Sequence, residues 1–188
     1  MQATCKPPPT ARALTDCVAT QARDRITEGY DVVVAQFGAA ERAASDSGFG
    51  ANYQAVIRQT DAAVGVLAKQ IADRRAANPN ENWLIVVATS HGLGKTGTVD
   101  GLPLSSNKTI MLATNQPAML GGTADDASSD GVWDSNWYAL PSAADVAPTM
   151  LAHLGALPAD GQYDMAGTPL SQPLALRRVA TRTSMDNK

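Results

Sequence analysis

Three unbroken apolar stretches constrain this chain more than anything else in it. They read Asp31-Val-Val-Val-Ala-Gln-Phe37, Trp83-Leu-Ile-Val-Val-Ala-Thr89 and Lys108-Thr-Ile-Met-Leu-Ala-Thr114. A strand with one face in water alternates apolar and polar residues. Continuous apolarity with β-branching marks a strand covered on both faces. Between the first two stretches the period changes. Tyr53, Val56, Ile57, Val64, Leu67 and Ile71 recur at helical spacing from about 51 to 77, and Asn78-Pro79-Asn80 ends the pattern. Strands alternating with helices predict an α/β sandwich with a largely parallel sheet. Ligands collect at the carboxyl ends of such strands. The loops expected there are 38–50, 90–107 and 115–141.

The flanks are read from caps and breakers. Three prolines, Pro7 to Pro9, predict an irregular arm. Thr15 or Asp16 is positioned to cap a helix reaching Ile26, with Gly29 as its stop. Ser142-Ala-Ala-Asp145 has capping-box spacing before a helix to about Leu154, closed by Gly155. The predicted organisation is an arm and helix over 1–29, an α/β domain over 30–157 and an irregular extension over 158–188. Cys5 and Cys17 are spaced either for a short bridge or as two unrelated thiols, and both readings stand. Two cysteines and two histidines are too few for a closed structural zinc site.

Composition excludes several classes. With 44% hydrophobic and 18% charged residues, the 188-residue chain is globular in type. A net charge of −3 without a basic patch argues against nucleic acid. No apolar run approaches the roughly 18 residues of a membrane span, and residues 1–30 lack the apolar centre of a signal peptide. Ser90-His91-Gly92-Leu93-Gly94-Lys95-Thr96 suggests a phosphate loop, but Thr89 stands where that motif needs glycine. Gly97, Gly101 and Pro103 forbid the helix that should follow. No G-x-S-x-G elbow occurs, and His153 reads as a helix residue outside any triad. Trp133, Trp137 and Tyr138 in the long loop suit either stacking on a sugar or base, or closing the core.

The order of the remaining segments resembles a family. Glu41-Arg-Ala-Ala-Ser45-Asp-Ser-Gly48-Phe49-Gly50 is followed by Tyr53-Gln-Ala-Val-Ile57 and Asp61-Ala-Ala-Val64-Gly65. Then come Thr89-Ser90-His91-Gly92 and Asp145-Val-Ala-Pro148-Thr-Met-Leu-Ala-His-Leu-Gly155. Over roughly 30–155 this is similar to the type I phosphodiesterase and nucleotide pyrophosphatase branch of the alkaline phosphatase superfamily. The family pieces read D-x-x-G-H-x-x-G-F-G, Y-x-x-A-I, D-x-x-V-G, T-D-H-G and D-I-A-P-T-x-L-x-x-L-G. The resemblance implies an alkaline-phosphatase-like three-layer sandwich, here incomplete because its N-terminal half has no counterpart. It also implies a site for two divalent metals, usually zinc, about 4 Å apart, and an extracytoplasmic location.

Carried over residue by residue, the ligand set is degenerate. The first family Asp falls on Glu41 and its His on Ser45. The Asp of D-H-G falls on Ser90, while His91 is retained. A later family His aligns with Asp100, and Asp46 is a further carboxylate nearby. The expected metal ligands are therefore Glu41, Asp46, His91 and Asp100, with zinc or another divalent cation if the site functions. Neutral serines are poor ligands, so the expected function is a non-hydrolytic derivative. It would act as a binding module or as half of a split domain, with a second copy or a complementary chain as partner. The alternative is an active metal-dependent phosphodiesterase with a remodelled site.

Overall fold

A computed structural model describes residues 5, 10–94, 105–116, 141–159 and 165–171. The chain divides into two compact units. One comprises Met1–Trp83 with Gly92–Lys108, the other Leu84–His91 with Thr109–Lys188.

The first unit is built on three helices: α1 (Ala11–Glu28), α2 (Ala39–Ser47) and α3 (Ala51–Ala77). The Thr10 hydroxyl caps α1 by accepting from Ala13 N–H at 3.2 Å. The helix stops at Gly29, whose φ of 82° suits a residue without a Cβ. Polar side chains of α3 reach α1 at matched heights. Gln59 Nε2 donates to Arg12 O at 3.1 Å, and Gln70 Nε2 donates to Arg23 O at 3.1 Å and Thr27 Oγ1 at 2.7 Å. Arg74 Nη1 donates to Ile26 O and Thr27 O. Both numbers rise together, so α1 and α3 run parallel, and the segment with α2 is the return. The apolar core between them is small: Ala39, Ala43 and Val56, backed by Ala11, Ala40 and Tyr53. A disulfide joins Cys5 to Cys17 of α1, which resolves the two readings of that pair.

The second unit holds β1 (Val86–Ala88) and β2 (Leu112–Thr114), paired antiparallel with Val87 opposite Ala113. Bonds beyond the strand ends lengthen the ribbon: Thr89 N–H to Met111 O at 3.0 Å and Asn115 N–H to Ile85 O at 3.3 Å. Between the strands, the described residues include the one-turn helix α4 (Ser105–Lys108). Later a 3-10 turn (Ala143–Asp145) leads into α5 (Val146–His153).

This architecture corrects the expected fold class. Most described residues are helical, and the described strands form a single antiparallel pair rather than a three-layer sandwich with a largely parallel sheet. Two physical reasons are visible. Parallel neighbours need a crossover of a dozen or more residues, usually helical, and among the described residues the connection 90–107 supplies only α4. The run 31–37 has strand composition but, among the described residues, no strand beside it. Val32 is 42% and Val34 80% exposed. The loop expected at 38–50 instead contains α2, since alanine is the strongest helix former and glycines flank the segment on both sides.

Candidate metal centre

Glu41 and Asp46 both lie on α2, Glu41 in its first turn, and both are exposed. A helix advances about 100° per residue, so these two project in directions roughly 140° apart. Glu41 and Ser45, four residues apart, share a face. That face offers one carboxylate and one neutral hydroxyl. His91 is half-buried and follows β1 in the second unit. Asp100 lies outside the described residues, as do Trp133, Trp137 and Tyr138. Among the described residues no three His, Cys, Asp or Glu side chains gather where they could hold a cation. The sequence placed Glu41 and Asp46 in a loop over 38–50, and helix α2 carries both instead.

The best-organised charged cluster is elsewhere. Arg74 and Glu81 meet in a two-pronged pair, Nε to Oε2 at 2.6 Å and Nη2 to Oε1 at 2.7 Å. Trp83 Nε1 donates to Glu81 Oε2 at 2.7 Å, and the Arg74 guanidinium lies 5.8 Å from the Trp83 ring centre. The Arg74 hydrogen bond, then that of Trp83, holds the Glu81 carboxyl below the ordinary value of 4.5. Both oxygens of Glu81 are engaged and Arg74 also binds the last carbonyls of α1. This cluster therefore clasps the end of α1 to α3 and offers no acid, base or ligand to a substrate. An open groove of about 410 Å³ lies between the start of α1 and the first turns of α3, lined in part by Arg12, Asn52 and Gln59. Gln59 is already bonded to α1 and the Thr10 hydroxyl is the cap, so polar groups do not converge on the groove.

In the second unit, Asp145 and Thr149 sit where the resemblance placed family residues, and both are structural. Asp145 is 7% exposed and Thr149 1%. Asp145 closes the capping box, its Oδ2 accepting from Ser142 N–H at 2.8 Å, while Oδ1 accepts from Thr168 N–H at 2.8 Å. Thr149 Oγ1 donates to Asp145 O and accepts from Leu170 N–H at 2.8 Å. Gly167 lies so close that an added Cβ would come 2.0 Å from Ala144 O. The capping box was readable from residue spacing. Its grip on 167–170 was not, because that segment carries no periodic signal of its own.

The feature that sequence reasoning misjudged most is 31–37. Among the described residues, no hydrogen bond reaches its main chain. Comparison with family models, curated proteins and solved structures finds no match to this chain.

Proposed function

We propose that this chain is a non-hydrolytic binding module that takes up a β-strand from a partner along residues 31–37. One observation carries the reading. A β-branched run stands exposed with its main-chain donors and acceptors unused by the described residues. In water those groups are solvated, but Val32 and Val34 leave apolar surface exposed beside them. An added strand would satisfy both at once, since main-chain bonds supply affinity and alternate side chains supply selectivity. Val33 and Phe37 are half-buried and the other five residues of the run are exposed, so most of its surface is open to an added strand.

The chemistry of the donor set supports the non-hydrolytic part. A two-metal site needs several anionic or imidazole ligands, each held in orientation. At the positions carried over from the phosphodiesterase resemblance, Ser45 and Ser90 are neutral. The test is turnover of a p-nitrophenyl phosphodiester with added zinc or manganese. The expected rate equals that of the metal alone. Turnover abolished by both Glu41→Gln and His91→Ala would replace this reading with an active metallohydrolase.

A further inference from the structure

We infer that the strand taken up is the same run of a second copy, so that the chain closes on itself as a two-fold dimer through residues 31–37; this rests on the strand-accepting role proposed above. The run is self-complementary in the antiparallel sense. Centred on Val34, that register sets Val34 against Val34, Val33 against Ala35, Val32 against Gln36 and Asp31 against Phe37. A two-fold contact uses the same patch on both subunits, so any charge near the axis meets its own copy. Here the one charged residue, Asp31, stands at the end of the run and faces Phe37, and no like charges oppose one another. Like charges directly opposite would destabilise the pair, whereas β-branched pairs stabilise it. The axis falls on Val34, which at 80% is the most exposed large apolar side chain among the described residues.

Alternation assigns the two faces. In an extended strand, Val32, Val34 and Gln36 share one face, and Val33, Ala35 and Phe37 share the other. On the second face Val33 and Phe37 are half-buried and Ala35 is exposed, while all three residues of the first face are exposed. A two-stranded ribbon is marginal unless one face packs on something. In the dimer the half-buried Val33 and Phe37 of each copy would supply that packing. Flanking helices α1 and α2 end and begin at Gly29 and Gly38, which leaves the run free of helical backbone.

The experiment is the mass in solution of the whole chain and of two variants, Val34→Lys and Val34→Asp. Because Val34 is exposed, neither change should disturb the unit, and unchanged far-ultraviolet dichroism checks this. The native chain is expected at twice its monomer mass at micromolar concentration. Each variant alone is expected at monomer mass, since like charges meet at the axis. Mixing the two variants should restore the doubled mass, because Lys then faces Asp. A native chain that stays monomeric up to its solubility limit overturns the inference. So does a dimer that both variants leave intact, which would place the contact elsewhere, for example on the β1–β2 ribbon. Failure to recover the dimer on mixing also overturns it. A native monomer that still gains protection at 31–37 on adding a synthetic peptide of that sequence would retain the strand-accepting role and remove only the homodimer.

Discussion

Asp145 divides its carboxylate between two main-chain donors, Ser142 N–H and Thr168 N–H, and is nearly buried while doing so. Removing the carboxylate takes the acceptor from exposed Ser142 and half-buried Thr168, and hydrogen bonds to a charged group are worth about 1.5–3 kcal/mol. Asp145→Ala is expected to destabilise the second unit by that amount in urea unfolding and to accelerate exchange of the Thr168 amide. Thr149→Val keeps the shape of the side chain but leaves Leu170 N–H without its acceptor, so a loss of similar size is expected there. Glu81 gives a pH-dependent effect with a definite sign. Its folded value lies below 4.5. The stabilisation it contributes is therefore complete above the ordinary carboxylate value and is lost as pH falls through the depressed one. Glu81→Gln should be less stable than the native chain near neutrality, and the difference should vanish in acid. A gap in melting temperature that persists below the carboxylate range would contradict the clasp.

Helices α1 and α3 illustrate what an element inherits from its sequence. The limits of α3, Ala51–Ala77, were legible because the apolar period and Asn78-Pro79 mark them. Of the six stripe residues, Val56 and Ile71 are buried, Tyr53, Val64 and Leu67 are half-buried, and Ile57 is 41% exposed. Gly29 and Gly155 were legible as stops, and both adopt positive φ. Helix α2 was not legible, since Ala-Ala-Glu-Arg-Ala-Ala-Ser-Asp-Ser has helix propensity but no apolar period. The first turn of α1 was missed because Thr10, just after the prolines, outcompeted Thr15 as cap. Thr15 instead is buried and donates to Ala11 O at 3.1 Å. Strand pairing was least legible of all. Composition states that 31–37 suits a pleated surface, but pairing depends on which distant segment lies alongside. The candidate metal residues shared this difficulty: motif order suggested a common rim, and only a fold could say which element carries Glu41. At this scale, Gly29→Ala is expected to cost about 1–2 kcal/mol, because a Cβ in the left-handed region is strained. Thermal unfolding of the variant checks it.

For the molecule as a whole, two features bear on where and how it works. The Cys5–Cys17 bridge is of a type that persists in oxidising surroundings. In the chain-entropy account, closing so short a loop stabilises by about 3 kcal/mol at most. The double variant Cys5→Ser, Cys17→Ser should lower the melting temperature of the first unit, read by calorimetry under non-reducing conditions. No helix among the described residues is long and apolar enough to cross a membrane. The account of function turns on the availability of the main chain at 31–37. Amide hydrogen exchange over those residues, followed from dilute to concentrated protein, tests it most directly. The amides should exchange at nearly unprotected rates in the dilute monomer and become protected as copies associate. Strong protection already present in the dilute monomer would show that the run is paired within its own chain and would contradict the account.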